Sequence, residues 1–247
     1  MSAFALVDVS VYAGALDASC FGNSVTAEAM VDTVDATTFC SGGWRVPVAS
    51  LRGYTMQLAG PQDLAATAAS ATLTPDEHYL LTVGTSYPVA IVPQGAAEGA
   101  VAYFSEGLLT NYQPVSGAVG DLATHSTTWA ITTYPLVRGV FASKTTATAT
   151  GNGTGHQVGA VSATQYVYAG VHFLTRGGTT STTVVLESDD NSNFTSATTR
   201  ATFTAATSRS AQFTRVAGAI TDDWWRLRWT ISGGSPSVQI RGFIGVQ

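Results

Sequence analysis

From residue 166 onward the chain repeats one pattern. Short segments of alternating apolar and polar residues, such as Tyr166-Val-Tyr-Ala-Gly-Val-His-Phe-Leu174 and Thr182-Thr-Val-Val-Leu-Glu-Ser188, are separated by Gly-Gly or Asp-Asp-Asn-Ser turns. They culminate in Asp222-Asp-Trp-Trp-Arg-Leu-Arg-Trp-Thr-Ile231. Side chains on a strand alternate between its two faces, so a period of two broken by turn residues every eight to twelve positions specifies a β-sandwich. In the last segment Trp225 and Trp229 share a face with Leu227 and Ile231, which the alternation assigns to the core. Trp224, Arg226 and Arg228 share the other face, a rim or contact surface. Nothing in this stretch carries evident reaction chemistry.

The rest of the chain is also strand-rich. Candidate strands are residues 3–13, 25–30, 44–48, 53–59, 79–83, 89–92, 101–107, 127–133 and 136–142, the fourth with alternating Tyr54, Met56 and Leu58. Residues 61–70, opening on Pro61 with Ala-rich turns behind it, are the best helix candidate. Polar stretches at residues 32–43 and 110–121 read as flexible loops. A small, polar, glycine-rich run, Ser143-Lys-Thr-Thr-Ala-Thr-Ala-Thr-Gly-Asn-Gly-Thr-Gly155, has no hydrophobic periodicity and reads as a flexible linker. The expected division is a mostly β domain with one short helix over residues 1–142, the linker over 143–155, and a β-sandwich over 156–247 that folds on its own. The fold class expected is therefore mainly β: an N-terminal sandwich or barrel and a C-terminal immunoglobulin-like or jelly-roll sandwich.

Charge narrows the range of partners. Only 11% of residues are charged, well under the usual quarter, while 45% are hydrophobic. Uncharged, β-prone surface aggregates unless its edges are covered. This suits a subunit buried in an assembly better than a secreted protein with a Thr/Ser-rich surface. Residues 1–150 carry eleven acids and four bases, a balance of −7, and the remainder is +2. An acidic half argues against tight nucleic-acid binding, which requires a basic footprint. No window approaches the length of a membrane-spanning helix, and the first residues lack the basic, apolar pattern of a secretory signal. The expectation is a protein made in a cytoplasm and soluble until assembled, with no membrane insertion.

Chemical motifs are few. Gly151-Asn-Gly-Thr-Gly155 lacks the preceding strand, following helix and Lys-Ser/Thr spacing of a phosphate loop. His78, His125, His156 and His172 stand at separations that no metal motif uses, and neither HExxH nor a Gly-x-Ser-x-Gly elbow occurs. Ser188-Asp-Asp-Asn-Ser-Asn193 offers hard oxygen ligands of the kind calcium takes, but Asp and Asn also make turns, and the turn is the stronger reading. Trp224, Tyr166 and Tyr168 are candidates for stacking on sugars, with burial as the default for aromatics. Cys20 and Cys40 could form a disulfide, but two buried thiols are the expectation. No catalytic, cofactor or metal site is assigned, and no enzyme activity is expected.

Both halves resemble, in order, the tail tube (major tail) proteins of long-tailed bacteriophages. The similarity runs through Asn23-Ser-Val-Thr-Ala-Glu28, Val34-Asp-Ala-Thr-Thr-Phe39, Trp44-Arg and Gly53-Tyr-Thr-Met-Gln-Leu-Ala-Gly60. It continues in Gly99-Ala-Val-Ala-Tyr-Phe104, Gly120-Asp-Leu-Ala123 and Pro135-Leu-Val-Arg-Gly139. The C-terminal half resembles the β-sandwich appended to such proteins, through Leu186-Glu-Ser-Asp-Asp190, Phe194 and Ile220-Thr-Asp-Asp-Trp-Trp-Arg226. The resemblance implies a virion structural protein whose N-terminal domain packs two β-sheets with a flanking helix. Its copies would form hexameric rings stacked into a tube, joining strands into an inner barrel through which genomic DNA passes without specific binding. Other tail proteins would be further partners, and the C-terminal domain would sit outside, with a host-surface glycan as a further partner. Two other readings stand beside it: a capsid decoration or other virion surface protein, and a carbohydrate-binding β-sandwich module.

Overall fold

The computed structural model describes residues 5–40, 42–62, 74–95, 97–131, 133–178 and 181–247. Among them the chain is mainly antiparallel β with one short helix. In chain order the elements are β1 (Ser10–Ala13), β2 (Leu16–Asp17), β3 (Ser24–Asp35), β4 (Pro47–Pro61), α1 (Pro75–Thr82), β5 (Ser86–Val92), β6 (Val101–Ser116), β7 (Thr124–Ile131) and β8 (Val137–Ala147). There follow β9 (Gly151–Asn152), β10 (His156–Gln157), β11 (Tyr166–Gly177), β12 (Ser181–Asp189), β13 (Thr198–Thr202), β14 (Ser210–Ala217), β15 (Trp224–Ser232) and β16 (Ser237–Val246).

One long sheet runs in the order β14-β11-β16-β8-β6-β5-β1-β2, and β6 also carries a branch through β7 and β4 to β3. A second sheet, β10-β15-β12-β13 with β9 beside β15, covers one end of the first. Three hydrophobic cores lie in series. The first holds Met56, Leu58, Tyr79, Val89, Leu109 and Trp129, between β1 and β5 on one side and β4 and β7 on the other. The third fills the space between the two sheets with Val171, Val184, Leu186, Trp225, Leu227 and Ile240. Between them lies a core drawn from both halves of the chain: Tyr12, Phe104, Val137 and Phe141 with Tyr168 and Phe243.

That middle core joins residues from both sides of the expected division into a domain, a linker and an independent sandwich. Residues 143–147 are not a flexible linker but the end of β8, paired residue by residue with β16 from Ser143↔Gly242 to Ala147↔Val238. The same strand pairs with β6 at its other end, Val140↔Val101 to Val137↔Phe104. The glycine run that follows is ordered too: Gly151 and Asn152 pair with Trp229 and Arg228, and Gly153 N–H donates to Leu227 O at 2.7 Å. Small Thr, Ala and Gly residues carry no visible apolar period, yet they suit a strand pressed between two neighbours. A side chain at Gly139 would collide with the backbone of Ile244, so the close approach of β8 and β16 requires glycine there.

Other differences follow from period and packing. The segment 79–83 is not a strand. α1 begins at Thr74, whose hydroxyl accepts from Glu77 N–H and donates to the Glu77 carboxylate, with Pro75 in the first turn. That reciprocal cap outweighs the short apolar run behind it. The helix candidate at 61–70 falls largely outside the described residues, and Pro61 itself ends β4. Residues 3–13 contribute a strand only at 10–13 within the described part. The polar stretches at 32–43 and 110–121 are partly strand, because β3 and β6 continue through Asp35 and Ser116. Cys20 and Cys40 are free and exposed rather than buried.

The alternation read in the C-terminal half holds. Trp225, Leu227 and Trp229 are buried and Ile231 packs against the same core, while Trp224, Arg226 and Arg228 are half-buried on the opposite face. Each buried indole keeps a partner: Trp225 Nε1 donates to Gly159 O at 2.9 Å and Trp229 Nε1 to Ala149 O at 3.0 Å.

Because β8 supplies Ala142 and Ala147 to the third core, a fragment of residues 156–247 leaves β16 without its neighbour. The expected outcome is a broad, non-cooperative melt by Trp fluorescence for 156–247 and a cooperative one for 134–247. Equal cooperativity in both would show β8 to be dispensable.

Stability also depends on pH. Burial pushes the imidazoles of His78 and His172 down to about 4. In the unfolded chain they titrate near 6.5, so the unfolded state binds more protons between those values. Their contribution is complete above about pH 6.5 and is lost as pH falls toward about 4, on the order of 3 kcal/mol for each. Tm is expected to fall steeply from pH 7 to pH 4.5, and less steeply in His172→Asn, whose amide can still donate to Gly14 O. A flat profile over this range would contradict the burial of neutral imidazole.

Candidate assembly interface

Sequence reasoning assigned no catalytic or metal-binding residue, and the positions it weighed lie apart. Asp189 has its carboxylate filled by donors of its own turn: Asn191 N–H at 3.2 Å, Asn191 Nδ2 at 2.8 Å and Ser196 N–H at 2.8 Å. The turn reading of residues 188–193 therefore stands. Tyr168 is buried in the middle core, Tyr166 lies under the Arg215 guanidinium at 4.6 Å, and Trp224 projects from the other sheet. These three aromatics do not form one sugar platform. His172 Nδ1–H donates to Gly14 O at 2.7 Å, and His125 Nδ1–H to Pro61 O at 3.1 Å, each serving the packing of its own region.

The face of the second sheet that carries Arg226 is sealed. Glu187 takes Arg226 at 2.8 Å and Arg228 at 3.2 Å, and the Arg226 guanidinium lies 4.2 Å from the centre of the Phe194 ring. Removing either arginine would leave a buried carboxylate with less of its pairing, a costly arrangement.

What the structure leaves open is elsewhere, in the branch β6-β7-β4-β3. Its inner face belongs to the first core: Val25 on β3, Met56 and Leu58 on β4, Trp129 on β7 and Tyr112 on β6. Pair by pair, the registers put the other set on the opposite face. Thr26 stands against Gln57 and Glu28 against Thr55, while Gln57 also faces Thr128 and Thr128 faces Asn111. Ser126 opposite Gln113 extends the same row. This face is built of hydroxyls and amides. Among the described residues its charged members are Glu28, Asp32 farther along β3 and, at its border, Glu106; no arginine or lysine stands on it.

Both lateral edges of this four-stranded layer are free among the described residues. β3 pairs with β4 alone, so its outer edge offers twelve residues of backbone without Lys or Pro. On β6, β5 pairs only as far as Leu108. Gly84 N–H then donates to Leu109 O at 2.9 Å and Leu109 N–H to Thr85 O at 3.0 Å, and beyond that no strand follows on that side. α1 braces this part of β6 from the core side, where Tyr112 Oη donates to Asp76 at 2.6 Å. The layer also extends past the core: Met30, Val31, Val34, Val48 and Leu51 are exposed, Leu51 at 73%. A long edge without Lys or Pro and with apolar side chains beside it, such as that of β3, is a pairing site for another chain; the distal edge of β6 carries Pro114.

The acids counted in the sequence divide by location. Asp76 is held by Tyr112, Glu77 caps α1, and Glu98 accepts from Lys144 N–H and Thr154 Oγ1. Asp35 pairs with Arg45 at 3.1 Å, and hydrogen bonds from Thr37, then Arg45, hold its carboxyl below the usual range. Asp63 lies outside the described residues. The edge pair of β3 and distal β6 escaped sequence reasoning, since a hairpin with polar outer residues reads as loop; only the run of β-branched residues in 24–35 signalled it.

No family model matches the chain, and no curated protein matches it. Among solved structures, a chain of the virion of a native gene transfer agent particle is 15% identical, with a TM-score of 0.38 over 55% of this chain and 96% of that one. A chain from the tail of an empty particle of that kind, of C6 symmetry, is 14% identical, with a TM-score of 0.33 over 47% of this chain and 81% of its own. The Dit protein of phage SPP1, described as a hub adsorption apparatus, is 10% identical, with a TM-score of 0.37 over 97% of this chain and 99% of its own. No assignment rests on similarity of this degree.

Proposed function

We propose that the protein is a virion structural component that polymerises through its strand edges into the stacked rings of a phage tail tube, a conduit for DNA. The observation that carries the reading is the four-stranded layer β6-β7-β4-β3, which among the described residues has a free edge on each side, along β3 and along the distal half of β6. A layer open at both edges pairs head to tail with copies of itself, and such heterologous contacts close into rings when the rotation permits. Each copy then contributes four strands to one continuous barrel. Closure removes the unpaired edges that make an isolated copy prone to aggregate.

The chemistry of the open face supports the same reading. DNA carries about one negative charge per 1.7 Å of duplex, and a basic lining would hold it by counterion release. A face of Thr, Ser, Gln and Asn with Glu28 and Glu106 offers phosphate neither a cation nor an unscreened attraction. Acids there repel it within roughly 8–10 Å at moderate salt. In this arrangement the C-terminal sandwich, joined to the layer through β8, lies on the outside of the ring.

Two outcomes test the proposal. Negative-stain microscopy and sedimentation at high concentration are expected to show rings or tubes for the native chain. Thr26→Lys with Met30→Lys, which places charge along the free β3 edge, is expected to raise the concentration needed for assembly at least tenfold while leaving Tm unchanged. A chain that stays monomeric at all concentrations, with or without a tail-tip nucleator, would remove the main support.

For the lining, the assembled protein is expected to bind duplex DNA more weakly than micromolar at physiological salt. Glu28→Lys should strengthen binding and steepen its dependence on salt, by about one unit of slope for each added phosphate contact. Submicromolar affinity of the native protein would contradict an acidic lining.

A further inference from the structure

The strand β3 ends in an apolar knob and begins beside a socket. The knob is the loop between β3 and β4, where Phe39 is fully exposed and Trp44 is 79% exposed. Its neck is closed rather than loose. Ala36 N–H donates to Val46 O at 2.9 Å, Val46 N–H donates to Thr37 Oγ1 at 2.9 Å, and Arg45 reaches Asp35 at 3.1 Å. The socket is a cavity of about 410 Å³ whose lining includes Val9, Val11, Val25 and Leu58, with Asp8 and Asn23 among its polar members.

Eleven residue steps lead from Ser24, which lines the socket, to Asp35 at the neck of the knob. At about 3.3 Å per residue that is roughly 36 Å of strand, so a copy cannot fill its own socket. The charges match in sense: the Arg45 side chain at the knob is 86% exposed despite its ion pair, and Asp8 at the socket is an exposed carboxylate. The two exposed cysteines lie one at each end. Cys40 adjoins Phe39, and Cys20 adjoins Ser19, which lines the cavity.

We propose that the β3–β4 tip of one copy seats Phe39 and Trp44 in the socket at the root of β3 of a second copy, bringing Cys40 of one beside Cys20 of the next. This rests on the self-association proposed above and adds its axial contact: edge pairing joins copies side by side, and the knob and socket join them end to end. A knob and socket at opposite ends of one chain form a contact that does not close on itself, and it propagates as a filament. Buried aromatics at the centre of such a contact supply most of its energy.

The native cysteines read the contact directly, because a disulfide forms only where Cα atoms come within about 4.4–6.8 Å. The full chain, concentrated until it sediments as an assembly, is treated with diamide. Each diamide takes two electrons and two protons from a pair of thiols and leaves one disulfide. The expected result is a ladder of multimers on non-reducing gels, whose bridged peptide joins Cys20 to Cys40. The ladder should vanish in Cys20→Ser and in Cys40→Ser. It should weaken at least tenfold in Phe39→Ser with Trp44→Ser, with Tm unchanged because both side chains are in solvent in the free chain. Assemblies that give no bridge, bridges between like cysteines, or a ladder indifferent to the aromatic substitutions overturn the docking and leave edge assembly standing. A chain that neither sediments nor cross-links overturns both.

Discussion

The fold depends on one strand with two neighbours. β8 pairs with β6 at its start and with β16 along most of its length, so it belongs equally to the N-terminal layers and to the C-terminal sandwich. The core beneath it is aromatic: Phe141 stacks on Phe243 at 5.1 Å and on Tyr12 at 5.8 Å, and Phe104 lies 5.7 Å from Phe243. Such pairs contribute about 0.5–1.5 kcal/mol each beyond the area they bury. The His172–Gly14 hydrogen bond ties β11 to the turn between β1 and β2 across 158 residues of chain. The two halves are therefore one mechanical unit.

A rigid body shifts the question to its margins. Every strand in the interior of the long sheet has partners on both sides, whereas β3 and the distal half of β6 reach out past the core with one. Exposed apolar residues concentrate there: Val31, Val34, Val46, Val48 and Leu51 on one hairpin, Val115, Val119 and Leu122 on the other. A monomer with 11% charged residues has little means of keeping such edges apart. In the proposed assembly, pairing would satisfy the edges and bury the apolar tips at once, leaving the polar, acid-bearing face free.

The two ends of β3 show how a small number of residues can specify polarity. Edge pairing alone is compatible with several registers, since a strand slipped by two residues keeps the same faces. In the docking proposed above, aromatic side chains at one end and a cavity at the other would break that degeneracy by favouring one register and one direction. The exposed cysteines report on the same geometry without altering it.

Sequence alone settled what alternation can settle. The β class, the inward face of Trp225, Leu227 and Trp229, and the outward arginines all follow from a period of two, which is a local property of the backbone. The cap of α1, Thr74-Pro-Asp-Glu77, was equally local and was there to be read. Long-range pairing was not. Thr145, Thr146 and Ala147 look like linker because nothing in their own side chains reveals that β16, ninety residues later, lies beside them. The free edges were hidden for the same reason: an edge is defined by the strand that is absent from its side, and the order of strands in a sheet comes only from tertiary packing. What a strand is made of is written locally, but whether it is an interior strand, a shared one or an open edge is decided by where the rest of the chain has been placed.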